Sequence, residues 1–500
     1  MGQRTPFTRM GTCLGLVILM GVAGCTTDGP GPSGQAANRQ PEPAYSPEGS
    51  WYPAEEYDSS PEQPFVHAAQ TPLSTFSADV DTASYSNLRR QLRMGQAPVG
   101  VRIEELVNYF DYGYRAPGPD DAHPFSVTTE VAAAPWNNEH QLAMIGVQAT
   151  RAIPTTEGNN IVFLLDVSGS MDSPDKLPLL KDSFSLLVDG LGPKDVVSIV
   201  TYAGSDRVVA DSVRGSDHGR IKAILGDLTA GGTTAGAKGL TTAYELARKN
   251  FITGGNNRVI LATDGDFNVG PSSDAEMLSL IEEQRGSGVY ISVLGFGMGN
   301  LKDSKMETIA DHGNGNYAYI DTLAEAKKVL VDEFDSTMFV VAQDLKLQVE
   351  FNPDVVSQYR LIGYNNRVLD DEDFADDTKD AGDVGAGHSV TAFYEIVPVS
   401  AKPSGDYMTV SVRYKKPGQQ TSQLVQASVP AAAWTATPSE DFRFASAVAE
   451  FGLVASESQY QGNASPSHAA QQAKEALGRD PYRLRAEFVE LVGQYSQIAG

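Results

Sequence analysis

Between Asn160 and Phe334 the chain alternates short apolar runs with stretches whose apolar residues recur at helical spacing. Ile161–Leu165, Val196–Tyr202, Val259–Ala262 and Tyr290–Leu294 are continuous apolar or β-branched runs, the pattern of strands covered on both faces. Between them, Leu177, Leu180, Phe184, Leu187 and Leu191 mark one helix face, and Leu240, Ala243, Tyr244 and Ala247 another. Strand–helix alternation predicts an open, mostly parallel sheet wrapped by helices. In such a sheet a ligand site lies beyond the carboxyl ends of the strands.

Those ends carry the chemistry. The first strand runs into Asp166-Val167-Ser168-Gly169-Ser170-Met171, which presents a carboxylate and two hydroxyls at alternate positions of one tight loop. Thr233 and Thr234 follow Gly231-Gly232 ahead of the second helical face, and Thr263-Asp264-Gly265 puts another carboxylate at a strand end. No Cys or His lies among these groups. An all-oxygen set suits Mg²⁺, Mn²⁺ or Ca²⁺ and argues against Zn²⁺. Neutral hydroxyls leave the ion's charge largely uncompensated, so it attracts an outside carboxylate. An ion that keeps waters can exchange one for a partner's oxygen.

This pattern resembles the metal-ion-dependent adhesion site of von Willebrand factor A domains. The resemblance implies a doubly wound α/β fold and divalent-metal-dependent binding of a protein partner that offers an Asp or Glu side chain. It implies Asp166, Ser168, Ser170, Thr234 and Asp264 as the metal-site residues, with the hydroxyls bound directly and one or both aspartates acting largely through water. Thr234 is chosen over Thr233 because Thr234-Ala235-Gly236-Ala237-Lys238-Gly239-Leu240 keeps the family's Thr-to-Gly-Leu spacing. Ala235 stands where the family commonly has Asn, which removes no ligand. Asp79-Val80-Asp81-Thr82-Ala83-Ser84-Tyr85, Arg102-Ile103-Glu104-Glu105-Leu106-Val107-Asn108-Tyr109-Phe110 and Pro135-Trp136-Asn137 are similar to the N-terminal companion region of a group of bacterial A-domain lipoproteins. Asp373–Gly382 and Gly385-Ala386-Gly387-His388 are similar to its C-terminal companion.

The remaining segments set the organisation. Arg4 and Arg9 precede a small and apolar run from Cys13 to Gly24, too short for a hydrocarbon core of ~30 Å. The run ends Val22-Ala23-Gly24-Cys25, which resembles a lipoprotein signal peptide cleaved before a diacylated cysteine. Two acyl chains at Cys25 would anchor stably where one would not. The expected divisions are a signal peptide (1–24), a disordered Pro/Gly/Ser tether (25–64), an α+β N-terminal companion (65–155), the A domain (156–338) and a β-sheet-plus-helix C-terminal companion (339–500). The expected location is the bacterial cell envelope, at the outer membrane if the cell is Gram-negative.

The net charge of −25 argues against nucleic acid, whose phosphates need an excess of Lys and Arg. Loss of Arg4 and Arg9 with the signal peptide would take it to −27, so recognition of an acidic partner must be local. Ser168 lies in no G-x-S-x-G elbow and no H-E-x-x-H occurs, so no enzyme is expected. Two alternatives stay open: an envelope scaffold whose companions bind while the metal braces loops, and a hydrolase with a metal-activated water. Among weaker signals, Asp79 and Asp81 read as a helix cap, Asp370–Asp383 as a solvated hairpin tip, and Asp480 and Pro481 as the N-cap and first position of a closing helix near Tyr482–Ile498. Gly295-x-Gly297-x-Gly299 reads as a strand-end turn, and Asp266 either supports the metal site or faces water.

Overall fold

The apolar runs become the buried layer of a sheet. The computed structural model describes residues 55–57, 60–78, 81–118, 120–151, 157–233, 236–265, 274–400 and 404–499. The expected signal peptide, Cys25, Asp79, Thr234 and Asp266 lie outside the described residues. Every residue of the strand Asn159–Asp166 is buried. Ile161, Phe163 and Leu165 pack with Leu180, Phe184 and Leu187 of the helix Leu177–Asp189 on one face. Val162 and Leu164 pack with Leu240, Ala243 and Tyr244 of the helix Gly236–Lys249 on the other. This two-sided burial is why the strand is apolar throughout rather than alternating.

Among the described residues the sheet has six strands, in the order Tyr317–Ile320, Tyr290–Phe296, Asn256–Thr263, Asn159–Asp166, Val196–Ala203, Ser205–Arg214. All neighbours are parallel except the last pair. This is the expected doubly wound sheet, with an antiparallel edge strand that its mostly exposed, polar residues did not announce.

The two flanking regions are not separate bodies. One antiparallel sheet runs Val66–His67, Val356–Ile362, Ser389–Pro398, Asn137–Ala149, Phe125–Ala134. A second runs Val368–Leu369, Leu73–Ser77, Val340–Phe351, Asp406–Lys415, Gln423–Pro430, with Gly382–Gly385 also paired to Val340–Phe351. Leu73–Ser77 would leave its backbone groups unpaired inside 65–155; it finds them on Val340–Phe351, in the register Phe76↔Leu347. The expected domains 65–155 and 339–500 are therefore one sandwich, and the A domain is inserted between its strands. The inner faces share one apolar core that includes Phe76, Ile145, Leu347, Tyr394 and Val410. Behind the first sheet, Leu142, Met144 and Phe393 pack against Leu88, Leu106, Phe444 and Phe488 of a helical layer.

Buried ion pairs fasten the A domain to this body. Arg89 reaches Asp321 at 2.5 Å and Glu325 at 2.7 Å, with 3% of its side chain exposed. Arg102 meets Asp303 at 2.5 Å and also pairs with Glu105. Arg367 meets Glu307 at 2.6 Å and Asp311 at 2.5 Å.

Four local expectations are corrected. The helix N-cap is Thr82, and the Asp81 carboxylate accepts the Tyr317 N–H at 2.9 Å, across to the A-domain sheet. Asp480 and Pro481 do not start the last helix, which begins at Leu484, because Arg483 sits at φ +59° and breaks the run. Instead the Asp480 carboxylate accepts the Ala486 N–H at 2.9 Å. The acidic run is no free tip, since Lys346 donates to the Asp373 and Asp376 carbonyls and Arg413 to Asp377. The tether ends before Pro64, because Glu55–Tyr57 lie against the A domain, with 5% of the Glu55 side chain exposed. No helix among the described residues is long and apolar enough to cross a membrane.

Candidate metal centre

Asp166 is the last residue of the central strand and is fully buried. The chain turns at once, and the Ser168 N–H donates back to Asp166 Oδ1 at 2.9 Å. That bond closes an Asx-type turn, which a short carboxylate side chain favours. It brings Ser168 Oγ within 3.0 Å of Ser170 Oγ. Ser168 is buried and Ser170 half-buried.

The other Asp166 oxygen, Oδ2, accepts from Tyr202 Oη at 3.1 Å and Thr263 Oγ1 at 3.2 Å. Each donor ends a neighbouring strand, Val196–Ala203 or Asn256–Thr263. Burial pushes the Asp166 carboxyl up from its ordinary 3.8 to about 6, against the hydrogen bonds that favour the ion, and the nearby Asp264 charge adds to the push.

Asp264 follows Thr263 and is fully buried. Gly265 comes next at φ +104°, and a Cβ there would stand 2.4 Å from the Asn300 carbonyl oxygen. Only glycine lets this turn pass so close to the 297–303 loop. Asp264 Oδ2 accepts from Lys176 Nζ at 2.8 Å and from Asn300 Nδ2 at 3.3 Å.

Thr233 lies on the third loop and is exposed. Its carbonyl accepts the Gly204 N–H. The same loop docks on the first through Gly169 N–H to the Gly232 carbonyl at 3.0 Å and Gly231 N–H to the Val167 carbonyl at 2.8 Å. The helix beyond begins at Gly236. The structure thus brings Asp166, Ser168, Ser170 and Asp264 to one end of the sheet, with the Thr233 loop alongside.

Sequence reading missed Tyr202, Thr263, Lys176 and Asn300. Tyr202 and Thr263 were findable as strand ends next to the first motif. Nothing local marks Lys176 or Asn300, since both reach Asp264 only through folding.

The donors fit a hard cation. All are oxygens, two are neutral hydroxyls, and the buried Asp166 carboxylate is poorly compensated, which is the condition a cation relieves. Asp166, Ser168, Ser170 and Asp264 would hold the ion with a threonine of the third loop, and the ion would supply Lewis acidity toward an incoming oxygen. Lys176 already provides Asp264 with one positive charge. Among the described residues no group of three or more His, Cys, Asp or Glu side chains is arranged for a metal; the hydroxyls carry the candidate set.

A doubly wound sheet with these turns at its carboxyl end defines a von Willebrand-type A domain, here set into a sandwich. Residues 160–333 match the von Willebrand factor type A domain family. Residues 52–144 match a family described as von Willebrand factor, and 336–498 one described as uncharacterized protein YfbK, C-terminal. The chain is 42% identical over 462 residues to the uncharacterized protein YfbK of Escherichia coli (strain K12), covering 87% of this chain and 80% of that protein. It belongs to the YfbK family. It is also 26% identical over 175 residues to calcium-activated chloride channel regulator 1 of Bos taurus, covering 34% of this chain and 18% of that protein. Among solved structures, a von Willebrand factor type A protein from Catenulispora acidiphila is similar with a TM-score of 0.43 and 19% identity, covering 75% of this chain and 90% of that one. The A domain gives the chain an interaction or scaffolding role; such domains typically hold a divalent metal and are mostly not enzymes.

Proposed function

We propose that this chain is a lipid-anchored protein of the bacterial cell envelope that captures a protein partner through a divalent cation. Asp166, Ser168, Ser170, Asp264 and Thr234 hold the ion, which is Mg²⁺, Mn²⁺ or Ca²⁺, and the partner supplies an Asp or Glu carboxylate to its open position. The observation that carries this reading is the pair of serine hydroxyls, 3.0 Å apart in the turn that follows a buried, undercompensated aspartate. Neutral ligands leave the cation able to attract an acid. The anchor rests on the sequence around Cys25, and with no nucleic-acid-like charge the partner is a protein.

The test is crosslinking and pull-down from intact cells with and without chelator. Asp166→Ala abolishes metal-dependent capture while the fold persists, and Cys25→Ser moves the protein out of the membrane fraction. Capture that is unchanged in EDTA refutes the reading. A second reading, a scaffold whose sandwich does the binding, draws on the Lys176–Asp264 ion pair of 2.8 Å, which already balances one carboxylate. It predicts capture by a chain carrying Asp166→Ala.

A further inference from the structure

The loop that supports Asp264 is held from outside the A domain. Residues 297–303 lie against the site: Asn300 donates to Asp264 Oδ2, and Met298 N–H donates to Asp175 at 3.2 Å. Gly297, at φ +73°, packs on the Lys176 stem so closely that a Cβ would fall 2.1 Å from Lys176 Cγ. Loop and Lys176 therefore move together, and both grip Asp264.

The segment Glu55–Tyr57 lies across the outside of this loop. Glu56 N–H donates to the Leu301 carbonyl at 2.9 Å, and Asp303 N–H donates to the Glu56 carbonyl at 3.1 Å. These bonds make a parallel bridge between Glu56 and Lys302. The Glu55 carboxylate accepts the Gly299 N–H at 2.9 Å and binds Arg90 through both oxygens at 2.9 Å. Tyr57 Oη donates to Glu55 at 2.8 Å and accepts from Arg90 at 2.8 Å and Gln91 at 3.1 Å. Arg90 and Gln91 belong to the helix Ala83–Arg93 of the companion body. The segment is thus a strap, fixed at one edge to the companion helix and at the other to the loop beside Asp264.

We propose that Glu55–Tyr57 is a positioning element of the metal site: it presets the 297–303 loop, and its release weakens cation binding. This rests on the metal reading above. Positioning groups behind metal ligands commonly hold affinity within about 10–100-fold of the intact site.

The test measures Mn²⁺ affinity by calorimetry, and hydrogen exchange of the 297–303 amides, on the full chain. Glu55→Ala removes the acceptor of Gly299. Glu56→Pro removes the donor to Leu301 while leaving the buried Arg90–Glu55 pair intact. Each is expected to lower affinity about tenfold and to speed exchange of the loop amides; Glu55→Ala also strands the buried Arg90 and melts earlier, whereas Glu56→Pro leaves the melting of the sandwich little changed. Glu55→Gln, which still presents an oxygen to Gly299, restores most of the affinity; a merely structural role would show no such rescue. Wild-type affinity in both variants overturns the strap while leaving the metal reading standing. Absence of Mn²⁺ binding by the wild-type chain overturns both.

Discussion

Asp166→Asn separates the energetics of the metal site from its geometry. In the metal-free protein the carboxyl is raised from 3.8 to about 6, first by burial and further by Asp264. At about 1.4 kcal/mol per tenfold change in proton affinity, the ionised side chain costs the fold about 3 kcal/mol. An amide of the same shape removes that cost and keeps the contacts. Its oxygen still accepts the Ser168 N–H, and its NH₂ donates to the Tyr202 and Thr263 hydroxyls, which rotate to accept. The variant is therefore expected to be about 3 kcal/mol more stable than wild type at neutral pH without metal. The sign follows from a folded pKa above the unfolded one: the cost is absent below pH 3.8, grows between 3.8 and about 6, and is complete above that. Divalent metal reverses the ranking, because an ion at about 1,000 times its Kd stabilises wild type by about 4.1 kcal/mol and the variant by almost nothing. Calorimetric unfolding across that pH range, with Mg²⁺ or EDTA, reads both effects. A variant less stable than wild type in EDTA at neutral pH, or one that gains as much from Mg²⁺, refutes the reasoning.

Other changes probe neighbouring parts of the same design. Lys176→Met removes the ammonium 2.8 Å from Asp264; metal-free stability should fall by about 3–5 kcal/mol as a buried carboxylate loses its partner, while Mg²⁺ affinity measured by titration should rise. Gly265→Ala forces a side chain into φ +104° with its Cβ 2.4 Å from the Asn300 carbonyl oxygen. Strain of about 1–3 kcal/mol or more is expected, together with loss of metal binding, read by melting and calorimetry. Arg89→Ala strands Asp321 and Glu325, which lie 2.5 and 2.7 Å from the guanidinium. A loss of about 3–5 kcal/mol should appear as earlier melting in denaturant, with metal affinity at native conditions unchanged.

The A-domain sheet was legible because its signal is local. Ile161 to Leu165 read as a strand covered on both sides, and Asp166, Ser168 and Ser170 read as one oxygen-rich turn at its end. The sandwich was not legible as one body. Nothing local in Leu73–Ser77 tells that its partner is Val340–Phe351 on the far side of the A domain. Strand pairing is decided by where backbone donors meet acceptors, and that depends on the whole chain. The helix expected from Asp480 begins instead at Leu484, after Arg483 at positive φ.

Sequence alone thus determined the class of fold and the oxygen-only chemistry of the candidate site, both written in residue type and short-range period. The protonation balance of Asp166, the engagement of Asp264 by Lys176 and Asn300, and the grip of Glu55–Tyr57 on the loop beside it arose only in three dimensions. Burial and electrostatic coupling depend on distances between residues far apart in the chain, and folding alone fixes those distances.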